Sequence, residues 1–264
     1  MAEPVLLIGC GRMGGSLLKG WRESGAVDSA IVVDPALPVL PGVAVVPSLS
    51  DVRGPLPRII LLAVKPQMLD QVMPRLAERL PDGALIISIA AGKPIAYFAS
   101  RLGKPAAIIR TMPNTPAAIG RGITVCCAAP GVSAADRDVA DRLMKAVGEV
   151  AWIEDENLMH AVTAVSGSGP AYVFHLIEAL RDAAEAAGLP PELAARLARA
   201  TVTGAGELAH QSPDEPAKLR IDVTSPGGTT AAALAILMAL DGLTDLMTRA
   251  VAAATARSEE LAKG

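Results

Sequence analysis

"PVLLIGCGRMGGSLLKGW", Pro4 to Trp21, sets a four-residue apolar run, Val5 to Ile8, directly before glycines at 9, 11 and 14. Leu17, Leu18 and Trp21 then recur at helical spacing. An apolar strand, a G-x-G-x-x-G turn and a helix form the pattern of a dinucleotide-binding unit. Gly9 would make the tight bend, Gly11 would let a pyrophosphate approach the backbone, and Gly14 would let the helix pack on the strand. The phosphates would lie at the helix N-terminus, which makes Arg12 and Met13 candidate contacts beside the three glycines. A second strand, Ile31 to Val33, ends at Asp34, twenty residues past Gly14, where a carboxylate would bond the adenosine ribose hydroxyls. The competing reading is a glycine-rich strand–helix turn that binds nothing.

Asp34 also bears on the cofactor. A carboxylate there repels a 2′-phosphate, and no Arg or Lys stands between Asp34 and Asp51 to offset it. The sequence accepts NADPH or NADH and leans towards NADH, with Arg12 and Arg53 as the cations a fold could bring in from elsewhere. The segment after Asp34, "PALPVLPGVAVVPS", has prolines at 35, 38, 41 and 47, so the crossover there is expected as loop, before a third strand at Val43 to Val46.

Further strands follow at Ile59 to Val64 and Leu85 to Ile89, continuous apolar runs of the kind buried on both faces of a parallel sheet. Lys65 and Pro66 open a helix at the carboxyl end of a central strand, where such sheets bind ligands. A solvated strand-end lysine is the plainer reading of Lys65. Two more strands flank Met112-Pro113-Asn114-Thr115-Pro116, and Ser133 to Val147 reads as a helix capped by Ser133.

The pattern changes near Trp152. From Asn157 onward there is helical periodicity without a convincing strand. One long Ala-rich helix carries an internal Ser166-Gly167-Ser168-Gly169-Pro170, which should kink it or let another backbone pass close by. Helices follow at Leu189 to His210, in the stretch after "TSPGG", and at Leu243 to Leu261. The stretch "TSPGGTTAAALAILMALD", Thr224 to Asp241, begins its helix with two glycines and several hydroxyls, where Ser225, Thr229 or Thr230 could each cap it. Such a start suits a carboxylate or phosphate. The fold class expected is α/β, an N-terminal Rossmann-type doubly wound parallel sheet (1–155) followed by an all-α dimerisation and substrate-binding domain (156–264).

Composition narrows the function. Hydrophobic residues are 51% of the 264, charged residues 19% and aromatics 2%. That is a packed globular chain whose core is built from Ala, Val, Leu, Ile and Met. A net charge of −3 gives no reason to expect nucleic acid or an anionic membrane as partner. Mean hydropathy is +0.40, yet the longest apolar run, Ala231 to Leu240, is half of the roughly 20 residues a bilayer span needs. Glu3 and Pro4 before a short apolar run do not make a signal peptide. Cys10, Cys126 and Cys127 read as reduced, mostly buried thiols of a cytoplasmic protein. His160, His175 and His210 lack metal-ligand spacing, so no metal is expected, and Met112, Met144 and Met159 read as packing. The Ala-rich helices carry more apolar surface than one copy can hide, so a homodimer is expected.

Four motifs, "AVKP" (63–66), "MPNTP" (112–116), "SGSGPAY" (166–172) and "VTSPGGTT" (223–230), resemble those of the pyrroline-5-carboxylate reductase family, a likeness that covers nearly the whole chain. The resemblance implies reduction of 1-pyrroline-5-carboxylate to L-proline with NADPH or NADH, the last step of proline biosynthesis. It also implies helices interlocked between subunits, with a possible ring of dimers. On this likeness Ser225, Gly227, Gly228, Thr229 and Thr230 hold the carboxylate of a small cyclic imino acid, and the Thr230 hydroxyl bonds the ring nitrogen. Ala63, Val64, Lys65 and Pro66 line the nicotinamide ribose, and Asn114, Thr115 and Pro116 lie below the ring. Thr230 and Lys65 are the catalytic candidates, and Ser166 to Pro170 would let two chains meet beside the substrate. The family often has Ser, Asn or Arg after the second strand, where this chain has Asp34 and then prolines. A rival dehydrogenase of 3-hydroxy acids would place a catalytic lysine in the second half, but none occurs between Asn157 and Ser212. A nucleotide-sensing module would have no use for Thr230 beside the Gly227-Gly228 turn.

Overall fold

The computed structural model describes residues 3–263. Alternate residues of the first strand, β1 (Val5–Ile8), enter two different cores. Val5 and Leu7 join one cluster with Val32, Ile59, Leu61, Leu85 and Ile87, while Leu6 and Ile8 join another with Val33, Ile60, Leu62 and Ile86. Side chains alternate across a strand, so a run that is apolar at every position needs a core on both faces. The sheet meets that need with eight strands in the order β3-β2-β1-β4-β5-β6-β7-β8. These are β2 (Ala30–Val33), β3 (Ala44–Val46), β4 (Ile59–Leu62), β5 (Leu85–Ser88), β6 (Ala107–Met112), β7 (Gly122–Ala128) and β8 (Gly148–Trp152).

Helix α1 (Arg12–Ser24) fills the first core with Leu17, Leu18 and Trp21, and the Trp21 indole N–H donates to the Leu143 carbonyl at 2.8 Å. Helices α2 (Leu69–Arg79) and α3 (Ile95–Leu102) fill the second with Leu69, Met73, Leu76, Phe98 and Leu102. Helix α4 (Ala134–Lys145) returns to the first core, and Ser133 caps it as expected, its Oγ accepting from the Asp136 amide at 3.1 Å.

One pair departs from the all-parallel expectation: β6 and β7 run antiparallel. Only residues 113–121 join them, with a short 3-10 turn at Thr115–Ile119, and a parallel return needs a crossover of about a dozen residues or more. The strands expected to reach Val64 and Ile89 stop at Leu62 and Ser88. Two elements of this sheet and its flanking helices were not expected. Strand β8 is a short edge strand, half-buried on alternate positions, so its five residues carry little apolar signal. Helix α3 starts at Pro94, which has no capping side chain; its first amide, Ile95, donates instead to Glu156 Oε1 at 2.8 Å.

The long helix expected through Ser166 is broken. Helix α5 (Met159–Val162) passes into a π-helical turn at Thr163–Gly167, and α6 (Gly169–Ala186) begins after it. Helices α7 (Pro191–Gln211), α8 (Pro216–Asp222), α9 (Thr229–Leu237) and α10 (Leu243–Lys263) complete the chain, α8 being a further helix that the periodicity did not suggest. Two compact units result, one comprising the residues to Gly167 with those from Ala254 on, the other Ser168–Ala253. In the second unit few side chains are buried, Ala194 and Ala198 among them, while Phe174 is 61% exposed. Among the described residues no helix is long and apolar enough to cross a membrane.

Candidate functional site

The order of strands places β1 between β2 and β4, so successive crossovers leave it in opposite directions. The crevice at such a switch point, outside the carboxyl ends of the strands, is where open α/β sheets bind ligands. Gly9 follows β1 there. Its amide donates to the Val33 carbonyl at 2.8 Å, and the Ala63 amide donates to Ile8 at 2.8 Å, which carries the ladder one step past the strand. Gly9 has φ of +94°, and a Cβ on it would lie 2.8 Å from the Ala63 carbonyl carbon, so both the turn and the neighbouring chain demand glycine. A Cβ on Gly14 would lie 2.4 Å from the Gly9 carbonyl oxygen, which is how close α1 comes to the turn.

Gly11 is different. It caps α1 with φ of −69°, a conformation open to any residue, and a Cβ there would meet nothing within 4 Å. The protein's own packing does not need this glycine. A ligand approaching the backbone would. The first turn of α1 has no acidic residue and no side-chain cap, so its orphan amides face an unobstructed approach beside Arg12 and Met13. These residues fit a dinucleotide pyrophosphate.

Asp34 sits at the end of β2, half-buried. It is already bonded within the chain: Oδ2 accepts from the Cys10 amide at 2.7 Å and Oδ1 from the Ala36 amide at 2.9 Å. Ala63 and Val64 are half-buried after β4, and Lys65 is exposed at the start of a 3-10 turn, Pro66–Met68, with no ion pair among the described residues. Asn114 begins the β6–β7 connection, where its Oδ1 accepts from the Ile123 amide at 2.9 Å and so pins the loop carrying Thr115 and Pro116. All these groups follow β1, β2, β4 and β6, which run parallel, and so lie at one edge of the sheet.

The π-helical turn stands against the same edge. A Cβ on Gly167 would lie 2.4 Å from Met112 Cε, so within this chain the glycine makes room for the Met112 side chain. The Ser166 hydroxyl is buried without a hydrogen-bond partner among the described residues. π-Helical turns are rare and recur at functional sites.

In the second unit the start of α9 corrects the capping expectation. The cap is Gly228, and neither Ser225, Thr229 nor Thr230 caps the helix with its side chain. The Ser225 carbonyl accepts from the Gly228 amide at 3.0 Å across a turn in which Gly227 has φ of +69°. The hydroxyls thus make no capping bond, at a helix end with no acidic residue in its first turn.

Other candidates are retired by their surroundings. Burial pushes the Cys126 thiol up to about 12, with Asp141 and Cys127 adding to it. Burial raises Cys127 and Cys10 as well, with Glu156 and Asp34 respectively adding their charge, so none of the three is a ready thiolate. His160 Nδ1 lies 3.0 Å from the Ser258 hydroxyl, and His175 Nδ1 3.0 Å from Glu178. Among the described residues no group of three or more His, Cys, Asp or Glu is placed to hold a metal ion. A pair that the sequence reading missed is Arg110 with Glu156: Arg110 is 3% exposed within β6 and donates to Glu156 Oε1 at 2.9 Å. An arginine amid "AAIIRTM" was the visible signal, because a charge in a buried strand requires a partner.

The chain is similar to known proteins along its whole length. Residues 156–261 match the family model "Pyrroline-5-carboxylate reductase dimerisation". A pyrroline-5-carboxylate reductase of Pseudomonas aeruginosa is 42% identical over 271 residues, covering 100% of this chain and 98% of that one. Among solved structures, a pyrroline-5-carboxylate reductase from Coxiella burnetii superposes with a TM-score of 0.90 at 33% identity and full coverage of both chains. The Plasmodium falciparum pyrroline carboxylate reductase with NADP bound gives 0.82 at 28% identity, covering 98% of each chain.

Proposed function

The chain belongs to the pyrroline-5-carboxylate reductase family, and from that premise we infer how its residues carry out the reaction. The protein reduces 1-pyrroline-5-carboxylate to L-proline, the last step of proline biosynthesis, as an NAD(P)H-dependent oxidoreductase. When bound, NAD(P)H supplies the hydride. Gly9, Gly11, Arg12, Met13 and Gly14 hold its pyrophosphate, Asp34 its adenosine ribose, and Ala63, Val64, Lys65, Pro66, Asn114 and Thr115 the nicotinamide half.

The observation that carries the substrate assignment is the start of α9, where the cap is a glycine and three hydroxyls are left out of capping. The amides of Thr229 and Thr230, with the Ser225 hydroxyl, receive the substrate carboxylate, and Gly227 and Gly228 make the turn that bares them. The Thr230 hydroxyl accepts from the protonated ring nitrogen and orients the C=N bond. No strong general acid is required. The new C–H bond forms while the C=N π pair moves onto nitrogen, which already carries a proton, so the product is an amine and not an alkoxide. Positioning and anion binding therefore supply most of the rate. Lys65 contributes by holding the ribose side of the cofactor.

Residues 1–155 form the cofactor domain in this reading, and 156–264 the substrate and dimerisation domain. The protein is a homodimer that builds further into a ring of dimers, and it acts in the cytoplasm. The test is steady-state oxidation of NAD(P)H with 1-pyrroline-5-carboxylate by the wild type and Thr230→Ala. The variant should keep its melting temperature and lose about 100-fold in kcat/KM. Wild-type protein that binds nucleotide yet turns over no imine would overturn the reading.

A further inference from the structure

The connection between β2 and β3 replaces a helix with a proline-rich loop, and its first residues are unusually well fixed. The Asp34 amide donates to the Val46 carbonyl at 3.0 Å, which holds its Cα in register at the end of β2. The Asp34 carboxylate then bridges two backbone amides, Cys10 in the glycine turn at 2.7 Å and Ala36 in the loop at 2.9 Å. The Leu37 amide closes a turn onto the Asp34 carbonyl at 3.0 Å. Leu37 is the one non-glycine residue with positive φ, +46°, among the described residues. A strained αL leucine persists only where its surroundings over-determine it. Farther along, Arg22 Nη2 donates to the Pro41 carbonyl at 2.8 Å and ties the loop to α1. The result is a rigid turn that presents a charged carboxylate and, beside it, Leu37 at 49% exposure and Val39 at 94%.

We propose that Asp34 to Leu37 form an adenosine half-site that takes a free ribose 2′-hydroxyl and rejects a 2′-phosphate, so that the reductase works with NADH. The proposal rests on the dinucleotide part of the function above and names which dinucleotide. Each carboxylate oxygen has two acceptor positions, and each amide uses one, so both oxygens keep one for a ribose hydroxyl. The carboxylate cannot swing aside without giving up both amides. A phosphate in the same place would meet an unneutralised like charge. Residues 35–50 contain no Lys or Arg, and Arg22, which reaches this loop, directs its Nη2 to the Pro41 carbonyl rather than to Asp34. Asp34 also adds to the upward push that burial gives the Cys10 thiol, so its charge is felt at the turn. The apolar face of Leu37 suits one side of an adenine ring.

The experiment reads binding before turnover. NADH and NADPH are titrated into the full-length protein without imine, following nicotinamide fluorescence. NADH should bind about tenfold or more tighter. Asp34→Ser, which removes the charge and keeps a hydrogen-bonding oxygen, should narrow that gap by improving NADPH. Asp34→Asn should do the same if serine perturbs the fold. In turnover the preference should lie in the KM for nucleotide. Equal or tighter binding of NADPH by the wild type, or a ratio unmoved in both variants, overturns the half-site. A protein that prefers NADH but reduces no 1-pyrroline-5-carboxylate contradicts the reaction and leaves the half-site standing, whereas brisk turnover favouring NADPH does the reverse.

Discussion

At Gly9 a methyl group would collide with the Ala63 carbonyl and sit on a backbone at +94°, whereas at Gly11 it would project into open space. The two glycines of one motif therefore answer to different constraints, one to the fold and one to the ligand. Gly9→Ala should cost about 2 kcal/mol or more in a urea melt. Gly11→Ala should stay within about 0.5 kcal/mol of wild type and yet weaken nucleotide binding. If both variants lose stability alike, the second glycine is structural after all. Asp34 shows the same lesson in a charged residue, since its carboxylate braces the glycine turn that its charge would also police.

Helix α3 shows what an element borrows from a distance. Pro94 cannot cap it, and Glu156, sixty-one positions beyond Ile95, accepts from Ile95 and from the buried Arg110 with one oxygen. Removing that carboxylate would orphan a helix amide and leave an arginine buried without its partner. Glu156→Ala should lose about 3 kcal/mol, with Glu156→Gln intermediate because its amide oxygen can still serve Ile95; equal losses in the two would show that charge on Arg110 is the whole effect. At the opposite edge of the sheet, Arg58 binds Glu3 through Nε and Nη2 at 2.9 Å and Asp136 through Nη1 at 2.6 Å, joining the chain start, β4 and α4. The hydrogen bond from Arg58 holds the Glu3 carboxyl below its usual range against the opposing effect of burial. For Asp136 burial is the larger single influence and raises the value, but Arg58 and Ser133 together bring it below the usual range. A lowered carboxyl stabilises the fold fully above the unfolded value of about 4 and loses that contribution as the pH falls through the folded value. Arg58→Met should therefore be destabilised most at pH 6–7 and approach wild type as the pH drops below about 4. A pH-independent gap between the two in urea melts would mean that Arg58 acts through packing alone.

Over the whole molecule, apolar surface sets the assembly. Phe174 and Leu176 of α6 and Ile236 of α9 are exposed in one copy, and the hydrophobic effect assigns such surface to an interface. Thermal stability should accordingly rise with protein concentration, and Phe174→Glu should yield a monomer in sedimentation. A dimer that survives that charge would place the interface on other faces.

Much of this was legible in order along the chain. Glycine spacing, continuous apolar strands and the bare start of α9 are local patterns, and local sterics and helix-end electrostatics act between residues a few positions apart. The same locality explains the misses. Strand β8 and helix α3 draw their stability from partners on other elements, β7 beside one and Glu156 beside the other. The antiparallel turn of β6 to β7 followed from a connection too short for a crossover, whereas the interruption expected at Ser166 to Pro170 is present and only its π-helical form came from the structure. The sequence by itself determined the two-faced sheet, the glycine turn and the glycine-rich helix start, because each needs only its neighbours. Only the tertiary structure decided that Asp34 is clamped across Cys10 and Ala36 and that Gly11 is free of the protein's own packing, because those facts depend on which distant atoms arrive beside them.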